Sequence, residues 1–293
     1  MGMQPKTIFQ QIFKISGIVL FCTVTLLFLY PLLWLADSSF RPWTEVASTV
    51  PFFVEKNPIE AISSYNLKAM TEALIGGEGL TKWNVGLAFI NSVWVTIAAI
   101  LLTIVVCSFA AYAFAYLNFP FKKPVFVIVI ATMMLPMTTM VVPYYLLLNT
   151  LGLIDNPLGL IIPYAASAFS IFLLRQYFVK VPFSYIESAR MEGSSEFRIL
   201  FSIIMPLARP AIAAMAIIQF RLVWNDFLYP MLILKTQEFF TLPIIIKFMD
   251  SKNIDKPYDV IVATGFIAVS VPLIFFLIFQ RQFIEGLTGG LKQ

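Results

Sequence analysis

Apolar runs near the length of a bilayer crossing constrain this chain more than any other feature. Residues 15–36, 86–116, 124–148, 158–179, 210–234 and 260–280 are dominated by Leu, Ile, Val, Phe and Ala. A helix needs about 20 predominantly apolar residues to cross the hydrocarbon core of a membrane. Composition agrees: the chain is 59% hydrophobic and 12% charged, about half the charge of a soluble domain. The fold expected is all-α, a polytopic membrane protein of six transmembrane helices.

The order along the chain follows. Residues 1–14 are a polar segment. The first span, 15–36, is too long for the apolar core of a signal peptide and no small-x-small cleavage site follows it. A long polar loop, 37–85, holds Pro42, Pro51, Pro58, a short amphipathic helix expected over 66–74, and the Gly76-Gly77-Glu78-Gly79 turn. The second span, 86–116, is rich in small residues near its end, which lets helices approach closely in lipid. The third, 124–148, is interrupted by Pro136 and Pro143, and the fourth, 158–179, is kinked at Pro163. After the polar loop 180–209 comes the fifth, 210–234, opened by Pro210, a residue suited to a first helical turn. A second polar loop, 235–259, precedes the sixth span, 260–280, and a tail, 281–293.

Six spans place both termini on one side. Lys6, Lys14, Lys122, Lys123, Arg175, Lys180, Arg190, Arg198, Arg209, Arg281 and Lys292 then share a side, and the excess of Lys and Arg in short loops marks it as cytoplasmic. The chain is expected in the cell (inner) membrane with the 37–85 and 235–259 loops outside.

Several kinds of chemistry are excluded. There are no histidines, which removes the commonest metal ligand and acid–base catalyst. Cys22 and Cys107 lie inside apolar segments and read as small core residues. Basic residues are scattered singly, against nucleic-acid binding. Gly76 to Lys82 resembles a phosphate-binding loop only superficially, because its Lys follows Thr81 and the segment lies in an outer loop. No catalytic or metal-ligating set is expected.

The loop 180–209 carries the densest local signals. Ser184 and Glu187 have capping-box spacing, which predicts a helix from Ser184 to Glu192. Gly193 stands where a left-handed residue ends a helix. Ser194 or Ser195 can cap a second helix through Glu196, Phe197 and Arg198, ending before Pro206.

Glu187-Ser188-Ala189, then Gly193, then Met205-Pro206-Leu207 resembles the E-A-A…G…I-x-L-P signature of ABC importer permeases. Trp224-Asn225-Asp226-Phe227 downstream is similar to the carbohydrate-type, MalG-like subclass, as is the tail Gln282 to Leu287. Departures are mild: Ser188 for the first Ala, Glu192 for the usual Asp, Ser194 for the usual Ala. The resemblance covers most of the chain from Asn91 onward. It implies a type I-like permease whose coupling helix, with Glu187, Ser188, Ala189, Arg190, Glu192, Gly193 and Phe197, contacts an ATP-binding subunit. It also implies two copies of that subunit, which hold ATP and Mg, a second permease in a heterodimer, and an extracytoplasmic solute-binding protein. The solute would be a sugar or oligosaccharide.

Arg221, Trp224, Asn225 and Asp226 form an unusual polar cluster inside the fifth span. A charge near the bilayer centre costs about 2.5–3.5 kcal/mol on insertion scales and must face water or a partner. On a continuous helix Arg221 and Asn225 share a face, while Asp226 is rotated about 140° from Arg221. Each charge is then expected to find its partner on another helix. Two readings stay open: a structural polar network between subunits, or a lining of the translocation path. A rival class is a secondary transporter or channel gated by Arg221 and Asp226. A purely structural scaffold is another.

Overall fold

The computed structural model describes residues 5–42, 70, 71, 74, 83–251 and 258–288. The Gly76–Gly79 turn lies outside them, as do most of the helix expected over 66–74 and the ends of both termini. The chain divides into two units, Met1–Lys82 with Lys252–Ile267, and Trp83–Ser251 with Ala268–Gln293.

In the first unit α1 runs Pro5–Ser38. It packs on the opening of α12, Tyr258–Thr288, where Phe40 meets Phe266 edge-on at 5.9 Å. Gly265 lets Leu35 approach, since a Cβ there would sit 3.9 Å from Leu35 Cδ1. The Arg41 guanidinium pairs with Asp37 at 3.0 Å just past the helix end.

The second unit is built around α2, Val85–Tyr116. Its 32 residues make a rod of about 48 Å at 1.5 Å per residue. Asn84 caps it, accepting from the Leu87 N–H at 2.8 Å. Ala88, Ser92, Thr96, Ala99, Thr103, Cys107 and Ala111 recur every three or four residues and form its buried stripe. After it come α3 Lys122–Ala131, α4 Val141–Thr150, α5 Leu158–Tyr164 and α6 Ala168–Phe178, of which α5 and α6 pack on it. They are followed by α7 Phe183–Met191, α8 Glu196–Ile199, α9 Arg209–Trp224, α10 Leu228–Ile233 and α11 Leu242–Ser251.

Among the described residues three helices are long and apolar enough to cross a membrane, and six spans result if each of three bent pairs counts as one. The third stretch breaks at Leu135-Pro136 and turns by 100°. Pro143 sits harmlessly in the first turn of α4. The fourth bends by 44° between α5 and α6, just after Pro163.

Breaking a helix frees carbonyls that lipid cannot satisfy. Here distant side chains do so. The Thr103 hydroxyl lies 2.7 Å from Tyr164 O, the Gln219 amide donates to the same carbonyl at 3.4 Å, and the Cys107 thiol is 3.7 Å from Ala165 O and Ser167 O.

Two expectations need correction. The fifth stretch is not one helix: α9 stops at Trp224, the chain opens at Asn225-Asp226, and α10 follows. The 140° offset assumed a continuous helix and does not apply. The 235–259 stretch is not simply a polar loop, because α11 buries Leu242, Ile244, Ile245 and Met249. Its start is fastened to α2: Asn91 donates to Glu238 O at 2.7 Å and Phe240 O at 3.1 Å, and Ser92 Oγ accepts from the Leu242 N–H at 2.9 Å.

The turn before α5 is tied to the same region. Asp155, at φ 57°, accepts from the backbone N–H of Lys235 and Thr236, both at 2.8 Å, and from the Thr236 hydroxyl. These donors hold its carboxyl below the usual carboxylate range.

Candidate functional site

The 180–209 loop folds as a helix pair. Pro182 occupies the N-cap of α7, so Ser184 falls inside the first turn and caps nothing. The expected capping box is therefore not formed. The end of α7 is as anticipated. Gly193 has φ 80°, its N–H donates to Arg190 O at 2.9 Å, and the Ser194 N–H donates to Ala189 O at 2.9 Å. That is the Schellman pair of bonds. Ser195 then caps α8, accepting from the Arg198 N–H at 3.3 Å.

The second loop helix does not end before Pro206. It continues through a π turn, Leu200–Ile204, and a further turn, Met205–Leu207, to a bend of 83° before α9. The widened turn closes with the Met205 N–H on Leu200 O, five residues back. Pro210 lies in the first turn of α9.

The pair presents two faces. Ile186 and Ala189 point inward and pack with Ile199, Leu200 and Ile204. Arg190 is half-buried between the two helices, its guanidinium on the Glu196 carboxylate at 2.8 and 3.1 Å. Glu187, Ser188, Glu192 and Gly193 stay on the surface. Beside them Met191 is 88% exposed, Phe197 66% and Tyr185 56%. Met191 and Tyr185 were not singled out in the sequence, although Met191 lies four residues from Glu187 and so on its face.

Glu196 has a second partner, the Tyr112 hydroxyl, which donates to Oε2, the oxygen that also accepts from Arg190 Nη2. The Arg190 hydrogen bond, then that from Tyr112, keeps the Glu196 carboxyl below its ordinary range despite some burial. Nothing local in the sequence marks this contact, because Tyr112 is 84 residues away.

The polar cluster divides. Trp224 is buried, its indole N–H donating to Ala268 O at 3.0 Å. Asp226 works inside the fold. One oxygen accepts the backbone N–H of Leu228 at 3.1 Å and Tyr229 at 3.4 Å, capping α10, and the other accepts the Tyr164 hydroxyl. Asn225 Nδ2 donates to Arg221 O at 2.9 Å. Arg221 and Asn225 share an exposed face, as read, but the Arg221 side chain makes no hydrogen bond or ion pair among the described residues. Of the two charges, Asp226 thus has its partner on another helix, Tyr164 of α5.

A cavity of about 400 Å³ opens where the broken helices meet. Met133, Met137 and Met140 line it from the break between α3 and α4, Tyr144 from α4, Phe169 from α6 and Gln219 from α9. Gln219 is 2% exposed and, with Thr132 and Ser167, adds polar groups to a wall otherwise mainly of Met, Leu and aromatic side chains. Arg221 and Asp226 do not line it.

These features define a class: a polytopic membrane protein whose broken helices border a cavity and whose 180–209 loop is a capped helix pair with an exposed face. Residues 104–288 match the family described as binding-protein-dependent transport system inner membrane component, and the chain belongs to that family. The arabinooligosaccharides transport system permease protein AraQ of Bacillus subtilis is 34% identical over 283 residues, 96% of each chain. The osmoprotective compounds uptake permease protein GgtD of Synechocystis is 32% identical over 97% of this chain and 93% of its own. A chain of a bacterial ABC transporter involved in the import of the acidic polysaccharide alginate shares the fold, with TM-score 0.80 at 22% identity, over 96% of this chain and 99% of that one. The ABC permease family and fold that the loop pattern resembles are thus the ones found.

Proposed function

We propose that this chain is one permease subunit of an ATP-driven, binding-protein-dependent sugar importer. It forms the solute path with a second permease chain and is coupled to a separate ATP-binding subunit through the 180–209 loop. The observation that carries the coupling is the α7–Gly193–α8 pair. It is held rigid by the Schellman bonds and the Arg190–Glu196 ion pair, yet leaves Glu187, Met191 and Phe197 exposed. Surfaces of that kind, apolar anchors rimmed by charge, suit a protein partner. ATP and Mg belong on that partner, and its closure would push α7 and α8.

The joint before α9 and the breaks beside the cavity are where such a push can change the accessible side. To move a two-state equilibrium from 1:99 to 99:1, nucleotide must favour one state by about 5.5 kcal/mol. The second permease is supported by Arg221, which begins about 18 Å into α9 at 1.5 Å per residue. Facing lipid there it would cost about 2.5–3.5 kcal/mol, so its face calls for water or another chain. The sugar assignment rests on the arabinooligosaccharide relative and on Gln219, Tyr144 and Phe169 in the cavity wall, groups able to hydrogen-bond and stack on a hydroxylated ring.

Loop substitutions test the coupling. Glu187→Ala is expected to weaken retention of the ATP-binding subunit, and Phe197→Asp to weaken it about tenfold or more, as for an interface anchor worth above 1.4 kcal/mol. Both variants should insert normally. Retention at the wild-type level in both, measured by co-purification across a dilution series, would refute docking at this loop.

A further inference from the structure

One face of α2 holds the loop at both ends. Phe109, Tyr112 and Tyr116 follow one another at three and four residues, so they stand in a row. Tyr116 reaches the entry of the loop: its hydroxyl donates to Phe178 O, and its ring stacks with Phe183 at 6.5 Å. Tyr112 reaches the second loop helix through Glu196. Phe109 meets Phe197 and Phe201 edge-on, both at 5.6 Å. The Tyr112 and Tyr116 rings lie 5.3 Å apart.

The Glu196 carboxylate is the centre of this arrangement. It belongs to α8, its ion pair reaches Arg190 in α7, and its second oxygen takes the Tyr112 hydroxyl of α2. One carboxylate therefore fixes the two loop helices to each other and both to the longest helix of the unit. By contrast α9 follows the loop across a bend of 83°, where its Ala211 and Met215 share one buried apolar cluster with Ile186, Ile199 and Ile204. A rigid bonded junction transmits displacement, whereas a bend at a single residue can absorb it.

We propose that Tyr112 is a positioning residue of the transport cycle: through Glu196 and Arg190 it makes α2 move with the loop. This inference rests on the reading that an ATP-binding subunit docks on α7 and α8. Tyr112 is buried and does not line the cavity. Its loss should leave docking and ATP hydrolysis in place and lower the solute carried per ATP. A merely structural role would lower assembly, hydrolysis and uptake together and leave their ratio unchanged.

The test uses the full importer in proteoliposomes. It reads co-purified ATP-binding subunit, ATP hydrolysis and solute uptake in Tyr112→Phe, Glu196→Gln and the double variant. Tyr112→Phe removes one hydroxyl and is expected to keep subunit retention and hydrolysis within about twofold while uptake per ATP falls about fivefold or more. Glu196→Gln weakens the ion pair but can still accept from Tyr112, so a smaller loss is expected. The double variant should do little worse than the worse single one, as for groups acting as a unit. A wild-type uptake ratio in Tyr112→Phe, or a proportional loss of assembly, hydrolysis and uptake, overturns the proposal. Failure of the docking reading shows elsewhere, as full subunit retention in Phe197→Asp.

Discussion

Gly193→Val is expected to lower uptake at least tenfold while the chain still inserts. Gly193 sits at φ 80°, and no atom lies within 4 Å of where its Cβ would be. The cost is therefore purely conformational. Left-handed backbone costs an L residue about 1–2 kcal/mol, and a β-branched side chain at positive φ is a steric outlier. Relief requires the turn to open, which breaks the Gly193–Arg190 and Ser194–Ala189 bonds and misorients α8 against α7. A graded series separates this from a packing effect. Gly193→Asn should retain most uptake, because Asn tolerates the left-handed region, Gly193→Ala should be intermediate and Gly193→Val worst. Uptake assays at matched expression check the order. Equal activity for Val and Asn would show that the turn does not matter.

Asp226→Ala is expected to destabilise the fold by about 2–4 kcal/mol. Losing the cap of α10 costs about 1 kcal/mol, and leaving the Tyr164 hydroxyl without its acceptor costs about 1–3 kcal/mol. Adding Tyr164→Phe removes the orphaned hydroxyl and should recover part of the loss, a coupling that a double-mutant cycle measures. Asp226→Asn keeps a cap acceptor and should lie between. Thermal unfolding of the purified chain in detergent provides the readout. A double variant less stable than Asp226→Ala alone would contradict the role assigned here.

Local chemistry made parts of the loop legible. Gly193, Ser195 and Pro210 each act within a few residues of themselves, so their roles could be read from neighbours. Ser184 misled because Pro182, two residues earlier, takes the cap and shifts the start of α7. The six apolar stretches were visible because burial in lipid acts on composition. The breaks within them were not fully visible. Pro136 hinted at one, but hydropathy is blind to a turn of 100°, and the groups that stabilise the fourth-stretch break, Thr103, Cys107 and Gln219, lie 55 or more residues away.

Asp226 was misplaced for a related reason. A continuous helix was assumed, whereas its carboxylate is what caps the helix after a break. The cavity followed suit: its wall is set by those breaks, so hydropathy does not reveal the common surface of Met133, Met137 and Met140. Helix α11 was hidden by its short length and by the polar residues around it. Its burial depends on Asn91 and Ser92, about 150 residues earlier in the chain.

The central claim is that this chain moves a sugar at the expense of ATP bound elsewhere. It is tested most directly by reconstituting the chain with its second permease, ATP-binding subunit and solute-binding protein in vesicles, and measuring uptake of a labelled arabino-oligosaccharide. Accumulation is expected with ATP on the side of the 180–209 loop, and none with a non-hydrolysable analogue or when the ATP-binding subunit is omitted. Accumulation by this chain without nucleotide, driven only by an ion gradient, would contradict it.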